Sequence, residues 1–214
     1  MKRAERVKFI AETLENLYPT TPIPLDHTDA YTLLISVLLS AQCTDERVNK
    51  VTKILFKKYN TPEEFSNINQ EELEKLIYST GFYRAKSRSI IETSKKIIKD
   101  YGGKVPTNMD DLTSLRGVAR KTANIVLSQG FNKNEGIAVD THVKRVSYRL
   151  GLTKNKNPDK VEIDLMKFFP QKKWKEASWL IIEHGRAYCN APVPKCSSCF
   201  LKNSCPKNGV IKYK

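Results

Sequence analysis

Four cysteines near the end of the sequence restrict the possible folds more than any other feature. Cys189, Cys196, Cys199 and Cys205 follow one another with the spacing C-x6-C-x2-C-x5-C. Thiolates this close in sequence can all face one point, as a tetrahedral sulfur site requires. Cys43 is the one cysteine outside this group, so the thiols are gathered in a single segment. We therefore expect residues 189–205 to form a loop around a metal centre.

The spacing alone does not choose between zinc and an iron–sulfur cluster. Structural zinc sites more often use paired C-x2-4-C units, and here Cys196 and Cys199 form one such pair flanked by wider gaps. His27, His142 and His184 show no metal-ligand spacing and are expected to be structural or to contact a partner.

The composition favours a polyanionic partner. Lysine and arginine outnumber aspartate and glutamate by 37 to 23, which gives a formal net charge of +14. Such an excess suits nucleic acid, although a solvated, lysine-rich surface would have the same composition. The length of 214 residues fits one large domain or two small ones.

No segment of the sequence resembles a membrane span or a signal peptide. The longest nearly apolar stretch, residues 31–41, is too short to cross a bilayer, and charged residues follow the basic N-terminus. We therefore expect a cytoplasmic, reducing compartment and no membrane partner. In that compartment clustered cysteines favour metal binding over disulfides.

The apolar residues recur with helical spacing along most of the chain, and alternating strand patterns are absent from the sequence. The predicted fold class is therefore all-α. Capping residues and apolar periodicity predict helices over 3–17, 29–41, 44–59, 70–79, 83–100, 107–114, 118–129, 141–150, 158–168 and 174–187. A further helix is predicted to start at Thr61 and Pro62.

Two polar residues at predicted helix starts are candidates for catalysis. Lys121 follows the turn at Gly117 and lies early in a helix, where we expect the helix dipole and partial burial to disfavour an ammonium; an uncharged amine can act as a nucleophile. Asp140 precedes the next helix. The simpler interpretations are a solvated lysine and an N-cap carboxylate.

Several segments, in order along the chain, resemble the helix-hairpin-helix DNA glycosylases, and within them the members with a C-terminal [4Fe–4S] loop. The resemblance rests on the cysteine loop and on L-L-S-A-Q-C-T-D at 38–45, T-G-F-Y-R-A-K at 80–86, L-R-G-V-A-R-K-T-A at 115–123, V-D-T-H at 139–142 and H-G-R at 184–186.

The resemblance implies two helical lobes. One is a helical barrel at 22–133 that contains the helix-hairpin-helix at about 107–130. The other combines 1–21 with 134–214 and holds a [4Fe–4S] cluster on Cys189, Cys196, Cys199 and Cys205. The implied function is a monomeric, bifunctional DNA glycosylase and AP lyase that excises oxidised pyrimidines from duplex DNA. Lys121 would attack C1′ of the damaged nucleotide, and Asp140 would assist departure of the base.

The resemblance also implies a set of DNA contacts. The target base must leave the stack, and Gln42 would fill the gap while Phe82 acts as a wedge. Leucine is commoner than phenylalanine at the wedge, and Phe82 could instead belong to the core. The hairpin would contact phosphates through Arg116, Gly117, Val118, Ala119 and Arg120. It departs from the usual L-P-G-V-G pattern at Arg116 and at Ala119, and we expect Ala119 to be helical.

Two other functions are compatible with the same motifs. A monofunctional mismatch or adenine glycosylase shares the fold but usually lacks the lysine found here at Lys121. A non-catalytic DNA-binding or redox iron–sulfur protein would keep the basic charge and the cysteines without needing both Lys121 and Asp140.

Overall fold

The computed structural model describes residues 3–19 and 23–214, and regular structure within them is entirely helical. This confirms the all-α prediction. Short 3-10 turns cover Tyr78–Thr80 and Gln171–Lys173, and a π-helical turn covers Val126–Gly130. The α-helices are α1 Arg3–Leu17, α2 Ala30–Ser40, α3 Asp45–Leu55, α4 Pro62–Asn67, α5 Gln70–Ile77, α6 Tyr83–Tyr101, α7 Met109–Thr113, α8 Arg120–Ile125, α9 Thr141–Arg149, α10 Pro158–Met166 and α11 Trp174–Ala187.

Side-chain caps explain where several of these helices begin. Thr61 and Glu64 form a capping box at the start of α4, with Pro62 in the first helical position. Thr44 accepts the N–H of Arg47 and begins α3. None of the described helices has the length and apolar character needed to cross a lipid bilayer.

The chain divides into two compact units, Pro22–Lys133 and Met1–Thr21 with Asn134–Lys214. The unit Pro22–Lys133 is built around α2, because every residue from Tyr31 to Leu39 is buried. Its core also contains Phe65 from α4 and Ile97 from α6, both fully buried. A helix that is apolar on all sides must be covered on all sides, which accounts for the central position of α2.

The other unit has a separate core. Val7, Ile10 and Leu14, which recur at helical spacing on α1, are buried there. Helix α11 packs against both α1 and α9. Cys189 and Leu201 also belong to this core, so the cysteine loop is packed onto the unit that carries it.

The hairpin differs from the prediction at the start of its second helix. Helix α8 begins at Arg120 and not near Val118. Ala119 is its N-cap, with φ −83° and ψ 166°, so the expectation that Ala119 is helical was wrong. Residues 117–119 therefore form a non-helical connection that is longer than the sequence suggested.

Candidate functional site

Gln42 lies in a turn that we call the Gln42 turn, residues 41–44 between α2 and α3. Its backbone is left-handed, with φ 53°, and its side chain is exposed. The Cys43 N–H donates to the Ser40 carbonyl at 3.0 Å and closes the turn. A left-handed conformation costs about 1–2 kcal/mol for a residue other than glycine, so the fold holds Gln42 in a strained position.

Phe82 lies in a second turn of the same unit, the Phe82 turn, residues 78–82 before α6. It too is left-handed, with φ 50°, and 64% of the residue is exposed. The alternative that Phe82 belongs to the core is therefore wrong. The rings of Tyr78 and Tyr83 pack together beside it, with centroids 4.8 Å apart. The two strained, exposed residues are those that the resemblance implied would enter the DNA stack.

Lys86 connects the last turn of α2, just before the Gln42 turn, to the Phe82 turn. Its Nζ donates to the Leu39 carbonyl and to the Thr80 carbonyl, each at 2.8 Å, and the residue is 6% exposed. Burial lowers the pKa of Lys86. From the sequence this lysine counted only as part of a basic stretch within a motif. One sequence feature could have singled Lys86 out: it lies in the first turn of a helix, where a cation is unfavourable.

The hairpin is fastened to α6 through Arg116. Its guanidinium Nη1 lies 2.9 Å from Glu92 Oε2, and its carbonyl accepts the Thr93 hydroxyl at 3.0 Å. Gly117 has φ 79°, and a Cβ there would lie 3.0 Å from Ser89 Oγ, so glycine is required for both reasons. Arg116 is thus an ion-paired residue on an exposed turn.

The hairpin residues differ in what they can offer a partner. Gly117 and Ala119 are exposed, and Arg120 is half-buried. The side chain of Val118 is buried, and its N–H donates to the Leu115 carbonyl at 3.2 Å. Val118 therefore anchors the turn in the core and is not itself a surface side chain.

Lys121 and Asp140 belong to different units. Lys121 lies in the first turn of α8, as the sequence indicated, but its side chain is exposed, so the expectation that it is partly buried was wrong. Asp140 is the N-cap of α9, and its Oδ1 accepts the Val143 N–H at 2.7 Å. Its Oδ2 lies 3.7 Å from His142 Nδ1, and the side chain is 21% exposed. The capping role of Asp140 is therefore confirmed, and the cap holds the carboxylate in one orientation.

The four clustered cysteines line one cavity. Its wall also includes Arg149. Arg149 is buried and donates to the carbonyls of Asn190 at 2.7 Å and Pro192 at 3.2 Å, which fixes the path of the loop. The remaining lining residues are Leu150, His184, Tyr188, Pro194, Lys202, Lys207 and Val210.

Burial disfavours ionisation of three of these thiols, so a bound positively charged group would favour loss of their protons. Burial raises the pKa of Cys205 to about 11, and burial likewise raises the pKa of Cys196 and of Cys199. Without a positive ion these thiols stay protonated at neutral pH, because a buried thiolate is poorly solvated. Among the described residues no three His, Cys, Asp or Glu side chains are arranged around a single-ion site.

Hydrogen-bond donors already point at the sulfur atoms. The Lys207 backbone N–H donates to Cys205 Sγ at 3.3 Å, and Arg149 Nη1 lies 3.7 Å from Cys189 Sγ. His184 Nε2 lies 3.7 Å from Cys199 Sγ, and burial lowers the pKa of His184 to about 4. The neutral imidazole is held on its other side by the Tyr18 hydroxyl, 3.3 Å from Nδ1. Such contacts stabilise thiolate ligands of a metal centre.

Comparison with known proteins finds one family model that matches most of the chain and relatives that match nearly all of it. Residues 35–171 match the model of the HhH-GPD superfamily, described as base excision DNA repair proteins. Endonuclease III of Synechocystis sp. is 47% identical over 204 residues, which are 95% of this chain and 93% of that protein. Endonuclease III of Bacillus subtilis is 42% identical over 219 residues, covering 99% of this chain and 100% of that protein.

Solved structures show the same relationship. A trapped covalent intermediate of endonuclease III with DNA superposes with a TM-score of 0.91 at 42% identity, covering 97% of each chain. A non-covalent endonuclease III–DNA complex has the same TM-score and identity. A thermostable thymine-DNA glycosylase superposes with a TM-score of 0.84 at 24% identity, which indicates a shared fold.

Proposed function

Because the chain belongs to the HhH-GPD superfamily of base excision DNA repair proteins, as its motifs predicted, we propose that it is a DNA glycosylase and AP lyase. Its substrates are oxidised pyrimidines in double-stranded DNA, and it acts as a monomer in the cytoplasm. The observation that carries this proposal is the 42% identity to an endonuclease III whose covalent intermediate with DNA has been trapped. A covalent intermediate requires a nucleophile, and Lys121 is the candidate in the hairpin motif.

Lys121 provides the nucleophile in the proposed mechanism. Its uncharged Nζ attacks C1′ of the damaged nucleotide, and the bond between C1′ and the base breaks as the base leaves with a proton. The C1′–O4′ bond then breaks, O4′ takes up the proton that Nζ loses, and a Schiff base forms between C1′ and Nζ. Loss of a proton from C2′ of this Schiff base expels the 3′ phosphate by β-elimination. Water finally hydrolyses the C1′–Nζ bond and restores the amine. The exposed position of Lys121 in the first turn of α8 supports this role.

Asp140 acts on the same sugar in this mechanism. Its carboxylate stabilises the positive charge that develops on the deoxyribose as the base departs, or it helps to move protons. One oxygen is committed to the Val143 N–H, which fixes the carboxylate, while Oδ2 lies next to His142. A carboxylate that is held before the reaction needs little reorganisation during it.

The DNA contacts follow from the two strained turns and the hairpin. Gln42 occupies the gap left by the extruded nucleotide, and Phe82 separates the neighbouring bases as an exposed aromatic wedge. The hairpin holds the backbone through the main chain of Gly117 and Ala119, while Val118 fixes the turn. Arg116 and Arg120 supply positive charge beside the phosphates.

Cys189, Cys196, Cys199 and Cys205 are proposed to hold a [4Fe–4S] cluster. A cluster of four iron and four sulfide ions is wider than a single ion and needs thiols distributed around a cavity, as these four are. When bound, the cluster supplies a rigid anchor for the loop. The loop in turn presents Lys195, Lys202 and Lys207 to DNA phosphates.

Borohydride trapping tests the proposed function. Borohydride reduces a Schiff base to a stable amine, so the wild-type chain should form a covalent complex with duplexes that contain an abasic site or an oxidised pyrimidine. Lys121→Ala should abolish trapping while DNA affinity and iron content persist. Lys95→Ala, which removes an exposed lysine from α6 of the same unit, serves as the control and should trap normally.

The same assay separates the alternatives. A monofunctional mismatch or adenine glycosylase would release a base without trapping, and a non-catalytic DNA-binding protein would do neither. Undiminished trapping by Lys121→Ala would rule out the assigned nucleophile. A panel of duplexes with single lesions, each with a defined opposite base, identifies the preferred substrate.

A further inference from the structure

We propose that Lys86 is a positioning residue, which holds the Gln42 turn and the Phe82 turn at a fixed separation so that both enter the duplex together. This inference rests on the proposed function, because it concerns the step in which the damaged nucleotide leaves the stack. Lys86 itself is buried beneath the surface and acts through the two turns.

The contacts of Lys86 join the end of α2, which leads into the Gln42 turn, to the Phe82 turn. One ammonium donates to the Leu39 carbonyl, on the last turn of α2 before Gln42, and to the Thr80 carbonyl, within the Phe82 turn. Both hydrogen bonds are 2.8 Å long. The Lys86 backbone N–H also donates to the Phe82 carbonyl at 3.0 Å, so the residue is bonded to the second turn through its main chain as well.

Helix α2 benefits from a cation at this point. The last carbonyls of a helix have no partner within it and carry partial negative charge. Helix α2 has no basic residue in its own last turn. The Cys43 N–H, which could have reached the Leu39 carbonyl as the helix continued, bonds the Ser40 carbonyl instead. Lys86 therefore completes the end of α2 from another helix.

The start of α6 is unfavourable by local criteria. Its N-cap is a left-handed phenylalanine without a side-chain cap, and its first turn contains no acidic residue. Lys86 adds a buried cation near the positive end of that helix, where the dipole opposes it. Its side-chain acceptors, the Leu39 and Thr80 carbonyls, are uncharged. When residues at a helix start are each unfavourable for stability, as Phe82 and Lys86 are here, a functional reason is expected.

Both left-handed residues need such support. A strained conformation persists only when the surrounding structure fixes it. Gln42 and Phe82 face a duplex that resists entry, because unstacking a base costs a few kcal/mol. A single ammonium bonded to the end of α2 and to the Phe82 turn prevents one of the two turns from shifting while the other inserts. Loss of Lys86 should therefore impair recognition of the lesion more than affinity for undamaged DNA.

Lys86→Met tests this inference, because methionine has similar length but no donor. The probe is a duplex with one abasic-site analogue and 2-aminopurine opposite it, whose fluorescence rises when stacking is lost. We expect Lys86→Met to reduce the fluorescence change on this duplex. On a second duplex with one oxidised pyrimidine, it should lower single-turnover excision by roughly tenfold to a hundredfold, the size of effect that an ångström of misplacement can cause. Affinity for the undamaged duplex should change less than about twofold, since phosphate contacts are sequence-independent.

Three matched variants distinguish positioning from general damage. Lys95→Met removes an exposed lysine from the same helix and should behave as wild type. Ile97→Ala empties a fully buried site in α6, lowers stability, and should keep lesion recognition. In a chain with both Gln42→Ala and Phe82→Ala, discrimination between the abasic analogue and undamaged DNA is already lost, and Lys86→Met should reduce it no further.

The outcomes separate this inference from the proposed function. If the wild-type chain neither traps nor excises, the proposed function fails. If the wild type is active and a folded Lys86→Met matches it within about twofold, or loses affinity for all DNA equally, the positioning role is wrong. Should Lys86→Met fail to fold, Lys86→Arg decides the question: it keeps the charge with a wider head group and should show the same selective loss.

Discussion

Phe82 combines exposure with backbone strain, two properties that a stabilising residue would avoid. Its φ of 50° and 64% exposure mean that the ring contributes little buried area while the backbone bears a cost. A left-handed phenylalanine is about 1–2 kcal/mol less favourable than a right-handed one. Exposure and strain together therefore support the proposed role of the ring as a wedge, which would be retained at the expense of stability.

Replacing Phe82 by glycine should raise stability and lower activity together. Glycine adopts φ 50° freely, but its unfolded state is more flexible, so the net gain in the free energy of unfolding should be up to about 1 kcal/mol. Excision of an oxidised pyrimidine should fall, because the wedge is gone. Thermal or denaturant unfolding and single-turnover excision measure the two effects.

Phe82→Ala is the matched control for this prediction. Alanine also lacks the ring but keeps the left-handed strain, so it should lose activity as Phe82→Gly does without gaining stability. A Phe82→Gly variant that is less stable than Phe82→Ala would contradict the claim that the backbone is strained. Full excision by both variants would exclude Phe82 as the wedge.

At the residue scale the sequence named candidate site residues but did not predict their backbone conformation or burial. The motifs predicted that Gln42 and Phe82 contact DNA, but the left-handed backbones of these residues are not visible in a pattern of apolar residues. Lys86 was assigned to a basic stretch because lysine is rarely buried. Its burial depends on the carbonyls of Leu39 and Thr80, which come together only through the tertiary fold.

Helix α9 shows how one element can combine a structural and a chemical role. Asp140 caps it through a 2.7 Å bond from the Val143 N–H, and the rest of its carboxylate is proposed to act on the sugar. These roles depend on different properties of the side chain. Capping needs an oxygen acceptor in the right place, whereas charge stabilisation needs a carboxylate.

Asp140→Asn should separate the two roles. Asparagine caps a helix as well as aspartate does, so stability should stay within about 0.5 kcal/mol of wild type, while Asp140→Ala should lose about 1 kcal/mol. Excision by Asp140→Asn should fall roughly a hundredfold or more, the usual effect of removing one group that stabilises developing charge. Unfolding curves and single-turnover rates provide both measurements.

Each result for Asp140 has a defined interpretation. Wild-type excision by Asp140→Asn would leave the residue with the capping role alone. Equal loss of stability in Asp140→Asn and Asp140→Ala would mean that the charge, and not the acceptor, stabilises α9. Iron content should be unchanged in both variants and shows whether the cysteine loop of the same unit is intact.

At the element scale the helices were largely predictable, but the start of the hairpin's second helix was not. Periodicity located α1 to within a residue and a capping residue located the start of α4, because those signals are local. The start of α8 moved to Arg120 because Val118 is drawn into the core, which leaves Ala119 extended as the N-cap. The π-helical turn Val126–Gly130 likewise reflects packing that the sequence pattern does not encode.

For the whole molecule, net charge is the property that acts over the longest distance on a polyanionic partner. The net charge of +14 belongs to the chain as a whole, while Arg116 on the hairpin is already paired with Glu92 at 2.9 Å. Both side chains are about half exposed, so this ion pair is weak and a phosphate can compete for the arginine. Overall charge therefore sets long-range attraction, and local pairs decide which cations reach the backbone.

Salt dependence of binding should report both contributions. Each phosphate contact made by a cation lowers the slope of log Kobs against log salt by about 0.9 on duplex DNA. The wild-type slope on an undamaged duplex should be steeply negative. Arg116→Gln should make the slope shallower by up to about one unit. Glu92→Gln, which frees Arg116, should leave the slope as steep or steeper while raising affinity.

Fluorescence anisotropy over a salt series measures the slopes of the wild type and of both variants, with Lys53→Gln on α3 as a control for charge alone. A nearly flat wild-type slope would show that the basic surface is not the docking face, and an unchanged slope in Arg116→Gln would remove the hairpin arginine from the interface.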